Sequence, residues 1–236
     1  MPEITIEPAR DSYITPVQPN TNFGADTSVI CGVLYAGASK VQWRRGIGLF
    51  DVNAIPGGAT IDAAKLQREI SAIAGTPTWL VRLSRITRTD WVENQVTWNN
   101  YKTGSTWTDG GGDFDDVTPA AIDFSEAGAA GLHELVGLKP FVDDAIVSRG
   151  GLLTVLLRLK AEAPGVTQEA AWWSREKGVQ RWRLVVAYTP AASAPGVGPR
   201  RGRLQPGAGA PPAPRGARTG RRASQASAGS RPGRVR

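Results

Sequence analysis

The pattern of apolar and polar positions predicts strands over most of the chain. Residues 28–35 are rich in Val, Ile and Leu. Residues 41–52 carry Trp43, Arg45, Ile47 and Leu49 on one side, and residues 79–86 place Trp79, Val81 and Leu83 on one face. The cleanest alternation runs over 152–162. Leu153, Val155, Leu157, Leu159 and Ala161 face one way, Thr154, Arg158, Lys160 and Glu162 the other, and Leu156 breaks the pattern. Residues 181–188 repeat it with Trp182, Leu184, Val186 and Tyr188. Shorter strands are expected around Ile4 and Ile6, over 120–124 and over 131–136. One helix is predicted where Leu138, Phe141, Val142, Ala145 and Ile146 recur at helical spacing, with Pro140 near its start and Gly150 past its end. Residues 63–74 remain open: Leu66, Ile70 and Ile73 fit a helix, while Leu66, Arg68, Ile70 and Ala72 fit alternation only in part.

Between these elements lie Gly/Pro/Asn/Asp-rich turns at 19–24, 55–59 and 107–116. The most unusual stretch is 91–100, Trp-Val-Glu-Asn-Gln-Val-Thr-Trp-Asn-Asn, which reads as a loop-like plug pinned by aromatic anchors with strands built around it. Many short strands, turn signals and one short helix predict an all-β protein, a β-sandwich or jelly roll. Trp43, Trp79, Trp91, Trp98 and Trp182 are assigned to its core.

Charge divides the chain. Residues 191–236 hold ten arginines, no lysine and no acid, which leaves 18 basic against 21 acidic residues in 1–190. The first 190 residues are read as one domain and 191–236 as a disordered Gly/Pro/Ala/Arg-rich tail. Ten arginines fit nucleic-acid phosphates, but no aromatic interleaves them for base stacking. Translation past a natural stop explains such a tract equally well, and both readings stand open. No apolar run approaches a membrane span, and the first residues lack a secretory leader. Cys31, the single cysteine, reads as a buried structural thiol.

Catalysis is not expected. His133 is the only histidine, with no cysteine partner and only Glu134 as a local acid. Asp113, Asp115 and Asp116 are grouped in a Gly-rich loop, where acids are ordinarily solvated. Calcium, a cation that takes oxygen ligands, suits two clusters: Asp11 with Asn20 and Asn22, and Asp109 with Asp113, Asp115 and Asp116. Neither has EF-hand spacing, and turn chemistry of Asx residues competes. For glycan binding, an exposed aromatic plate beside polar groups is required. Trp107 with Asp109 and Asp113, and Trp172 with Trp173, are the candidates; in a strand one of the last two must turn outward.

The order of several motifs resembles the DNRLRE domain family. The segment 45–66 contains a Phe-Asp strand end, a Pro-Gly-Gly-Ala-Thr-Ile turn and an Ala-Lys-Leu strand. It is followed by Trp91-x-Glu-x-x-x-Thr-Trp-Asn-Asn, Gly110-Gly-Gly-Asp-Phe-Asp, the helix around Val142, Trp173-Ser-Arg-Glu176 and Arg183-Leu-Val-Val-Ala-Tyr188. Gly48 departs from the family's bulky apolar residue. The resemblance implies a jelly-roll sandwich similar to carbohydrate-binding modules and found also in cell-surface and phage structural proteins. Three functions follow as expectations. The first is a virion surface protein, released by lysis, with virion proteins and a host glycan as partners and multimeric assembly in keeping. The second is a carbohydrate-binding module separated from a secreted polysaccharide-degrading enzyme. The third is nucleic-acid association through the tail.

Overall fold

A computed structural model describes residues 1–35, 41–75, 78–117, 119–162, 165–179 and 181–192. The chain divides into two units, Met1–Ser193 and Ala194–Arg236. The expectations for the arginine-rich tail lie outside the described residues.

The first unit comprises β1 (Glu3–Ile6), β2 (Pro8–Ile14), β3 (Ser28–Tyr35), β4 (Val41–Asp51), β5 (Thr60–Gly75), β6 (Thr78–Ile86), β7 (Asn100–Lys102) and β8 (Ser105–Thr106). After these come β9 (Phe114–Asp115), β10 (Ala121–Ala127), β11 (Gly131–Val136), the helix α1 (Lys139–Ser148), β12 (Leu152–Leu159), β13 (Gln168–Trp173) and β14 (Arg183–Thr189). All strand pairings are antiparallel. One layer runs β1-β14-β5-β13-β3-β4, with β11 on the other edge of β5. The second runs β4-β12-β6-β10, with β2 beside β4 and β9 beside β6. β4 belongs to both layers: residues 41–44 pair with β3, whereas residues 45–51 pair with β2 and β12. A strand that changes sheets in mid-course is a corner of a β-sandwich.

The main core lies between the layers. Val29, Val33, Phe50, Leu66, Leu83, Leu153, Val155, Leu157, Leu184 and Val186 are sealed inside it. Trp172 and Trp182 fill its middle with ring centroids 5.6 Å apart. They fit because β4 has glycine opposite each ring. A Cβ on Gly46 would stand 2.8 Å from Trp172, and one on Gly48 would stand 2.2 Å from Trp182. Gly48 therefore replaces bulk on β4 with bulk supplied by the indole of Trp182.

β5 resolves the open segment as a strand of 16 residues. Ala64, Leu66, Arg68 and Ile70 alternate inward and are all buried. The alternation was obscured because one inward position is an arginine. Arg68 is fully buried and donates to Glu126 of β10 at 2.6 Å. α1 forms as predicted, Pro140 sitting in its first turn, where the absent N–H costs nothing. Gly150 and Gly151 follow its end with positive φ, and the amide of Gly151 reaches back to the Ala145 carbonyl. Its buried face is narrower than expected, since Ile146 is largely exposed.

Leu156, the exception in β12, has a physical reason. The β2-β4-β12-β6 layer is buried on both faces. Ile14, Ile47, Leu49, Ile86 and Leu156 form a second cluster on its outer face, under Trp91, Val96, Tyr101 and Trp107. Residues 91–100 are thus a plug, but one laid over the outside of a sheet rather than surrounded by strands. Each aromatic ring sealed there removes roughly 150–250 Å² from water, about 4–6 kcal/mol gross at ~25 cal/mol/Å². The plug is also tied down by polar groups: the Asn22 amide donates to the carbonyls of Glu93 (2.6 Å) and Val96 (2.7 Å).

Candidate functional site

Where the plug returns to the sheet, a cleft of about 560 Å³ opens between Arg45, Thr87, Arg88, Thr108, Asp109, Gly112, Asp113 and Phe114. Its floor is Arg45, from the outer face of β4. That guanidinium is held by Glu162 through two bonds of 2.7 Å, donates to the Gly111 carbonyl at 2.7 Å, and lies over the rings of Trp98 (4.7 Å) and Phe114 (5.4 Å). Gly110 and Gly111 allow this approach, since a Cβ on either would strike Trp98.

Asp113 organises the rim. It accepts from the amides of Thr108 (2.7 Å) and Asp109 (3.2 Å), the Thr108 hydroxyl and Arg88. Burial alone would raise its carboxyl; the Asp109 amide, Arg88 and Thr108 together hold it below the usual carboxylate range. Arg88 is more than a third exposed, spans the Tyr101 ring at 4.4 Å, and retains donors toward solvent. Asp109 is exposed. The cleft thus offers a guanidinium, two threonine hydroxyls, a free carboxylate and one aromatic ring.

The other residues singled out from the sequence are placed differently. Trp107 is not an exposed plate: it is buried, donates its indole N–H to the Thr97 carbonyl at 3.0 Å and anchors the plug beneath the cleft. Trp172 is wholly buried in the main core. Trp173 is the member of the pair that turns outward, half-buried, with the Lys177 ammonium 4.4 Å from its ring centroid. It stands on the opposite layer, so neither Trp172 nor Trp173 shares a face with the cleft.

The proposed calcium clusters do not assemble as expected. Asp115 is paired with Arg85, while Asp116 accepts from Ser84 (3.0 Å), Arg82 (3.0 Å) and Arg158 (2.7 Å). With Asp113 engaged by its own loop, the three acids face guanidinium groups and not a common point. Asn22 is spent on the plug and on the Gly24 amide, and Asn20 accepts from Asn99 at 2.8 Å. Asp11 instead meets two acids that no local spacing connects to it, Glu93 and Glu176.

His133 has an acid partner that the sequence did not suggest. Its ring bridges Glu126 (2.6 Å) and the Ala129 carbonyl (2.8 Å), at the edge of the buried Arg68–Glu126 pair. Glu126 is committed to that pair, so His133 borders a buried ion pair. Cys31 is buried, as expected, and burial pushes its thiol well above the ordinary range.

Residues 2–109 match carbohydrate-binding module family 96. The match begins at β1 and ends in the loop that lines the cleft. No curated protein matches the chain. The match supports a jelly-roll, carbohydrate-binding kind of domain, which is the coarser content of the resemblance read from the sequence; the DNRLRE assignment itself receives no support. Carbohydrate-binding modules are non-catalytic, in agreement with the expectation of a binding protein and not an enzyme. Of the functions expected from the sequence, the match favours the carbohydrate-binding module over the virion surface protein.

Proposed function

We propose that the chain is a carbohydrate-binding module whose ligand sits in the cleft around Arg88, Asp109 and Phe114. The observation that carries the reading is the family match over residues 2–109, which ends within the cleft's own loop. The chemistry of the cleft supports it. A sugar presents vicinal hydroxyls, which pair well with a planar guanidinium and a carboxylate, and an apolar C–H face, which suits a ring such as Phe114. The convergence of a few polar groups in one concave site is what small-molecule recognition requires. Arg45 is largely buried, spends three of its five N–H groups on Glu162 and Gly111, and acts as support for that ring. Arg88 and Asp109 are the groups with capacity left.

Affinity electrophoresis and calorimetry against a panel of neutral and uronate polysaccharides test the proposal. Arg88→Ala or Asp109→Ala is expected to weaken binding by about tenfold or more, the loss of one charge-assisted hydrogen bond. Trp173→Ala, on the opposite layer, is expected to leave binding unchanged. Binding that survives both cleft substitutions refutes the site; no binding across the panel refutes the function. Display on a virion is the other use that the resemblance implies, and no specific feature of the described residues favours it.

A further inference from the structure

A second polar centre lies away from the cleft, where three distant parts of the chain meet. Asp11 comes from β2, Glu93 from the plug and Glu176 from the short 3₁₀ turn between β13 and β14. One carboxylate oxygen from each lies within 4.8 Å of the others. Oxygens bound to one calcium ion at roughly 2.4 Å span up to about 4.8 Å, so the separation fits a single ion of that size.

Asp11 is the decisive residue. It is 1% exposed, and its two oxygens are treated differently. Oδ2 accepts from the indole N–H of Trp182 at 2.7 Å and from the Arg175 amide at 2.9 Å. Oδ1 is buried with no hydrogen-bond partner among the described residues. A buried, unpaired carboxylate oxygen is costly unless something cationic or a proton meets it. The fixed Oδ2 holds the carboxylate in place, and Asp11 belongs to a group of three acids.

The charges facing this centre do not balance. Arg175 is paired with Glu93 at 2.9 Å and stands 3.8 Å from Glu176. Among the described residues Arg175 is the one cation paired with these three carboxylates, since Arg10, which lines the same surface beside Glu93, donates to the Trp91 carbonyl; the carboxylates outnumber the cations paired with them. Glu93 already spends one oxygen on the Asp11 amide at 2.7 Å.

We propose that Asp11, Glu93 and Glu176 form a structural site for a divalent cation of the calcium class. The donors are all hard oxygens, and the mixture of a buried carboxylate with two more accessible ones leaves room for water ligands, as calcium tolerates. The ion joins β2 of one layer, the turn before β14 of the other and the plug over the outer face. It stabilises the sandwich and holds the plug that frames the cleft. The site stands independently of whether the cleft binds sugar.

The test is thermal unfolding of the full chain in EDTA and in increasing calcium, with magnesium in parallel. Calcium a hundredfold above its Kd is expected to raise Tm by about 5–10 °C. Glu176→Gln replaces an exposed ligand without disturbing the core and is expected to abolish most of that rise while leaving Tm in EDTA close to that of the unaltered protein. Glu134→Gln, an acid outside the cluster, is expected to keep it. No effect of calcium, or an equal rise in Glu176→Gln, overturns the proposal. A magnesium response as large as that of calcium also overturns it, because three carboxylates drawn from separate segments suit calcium's flexible oxygen shell and not the near-ideal octahedron that magnesium demands.

Discussion

Gly48→Ala adds one methyl group, and the structure predicts that it is among the most damaging single substitutions in the domain. The position lies inside β4, paired with Asp11 on one side and Val155 on the other. Its backbone conformation suits alanine, so the effect is not one of strained φ. It is one of volume. The new Cβ would stand 2.2 Å from two ring carbons of Trp182, where ordinary contact is about 3.5–4.0 Å. Relief requires more than an ångström of movement, and neither partner can give it. β4 is held by ladders on both edges, and Trp182 is wedged against Phe50 (5.3 Å) and Trp172 while its N–H is fixed on Asp11. Overpacking of a tight core costs about 1–3 kcal/mol, more where backbone must shift, so a loss of at least about 3 kcal/mol is expected. Gly57→Ala is the control, because nothing lies within 4 Å of its added Cβ. The assay is urea denaturation followed by tryptophan fluorescence. A double-mutant cycle with Trp182→Phe adds a second readout: the smaller ring makes room, so the pair should be less destabilised than the sum of the singles by at least about 1 kcal/mol. Gly48→Ala within 1 kcal/mol of the unaltered protein, or strict additivity with Trp182→Phe, refutes the reasoning.

Two further outcomes follow from buried charge. Glu126→Gln strands the Arg68 guanidinium, which is fully buried with Nε and Nη1 already unpaired among the described residues; a loss of about 3–5 kcal/mol is expected by denaturant titration, and Arg68→Met with Glu126→Leu should cost less than either charge-breaking single. The second concerns pH. The folded carboxyl of Asp11 lies at about 7 against an ordinary 3.8, so between those values the folded state binds more proton than the unfolded one and stability falls as pH rises. Glu93 and Glu169, both raised chiefly by burial, act in the same direction. In EDTA, Tm should therefore decline from pH 4.5 to 7.5, and Asp11→Asn should flatten the decline. A Tm that climbs over that window contradicts the assignment.

The parts of the fold that were legible in the sequence are those where one face is apolar and the other is not. β6, β14 and α1 satisfy that condition, and they were read at nearly their observed bounds. The readings faltered where a position's surroundings come from far along the chain. Arg68 occupies an inward position because Glu126, 58 residues away, neutralises it. Leu156 faces outward because a plug from residues 91–107 covers it. Alternation required one of Trp172 and Trp173 to turn outward, but the choice rests on Gly46, which clears space for Trp172 in the core. The site follows the same rule. Asp109 and Asp113, near neighbours in one loop, were singled out from the sequence and line the cleft; Arg88 reaches it from beyond β6 and was not singled out, and Phe114, although next to Asp113, was passed over because only tryptophans were read as plates. The signal for Glu93 is its position between Trp91 and Trp98, an acid in a segment pinned by aromatic anchors.

These long-range dependencies converge on one chain of contacts. Gly48 admits the ring of Trp182; the N–H of that ring holds Oδ2 of Asp11; and Asp11, so oriented, keeps Oδ1 unpaired among the described residues and stands in one group with Glu93 and Glu176. Packing and charge are therefore coupled, and the coupling can be measured. If calcium binds at Asp11, then displacing Trp182 by Gly48→Ala should lower calcium affinity as well as stability, although Gly48 touches none of the ligands. Calorimetry in conditions where the variant is still folded separates the two effects. A variant that loses stability but binds calcium with unchanged Kd would mean that Trp182 fills the core without orienting Asp11, and the core and the cation site would then be separate features of the domain.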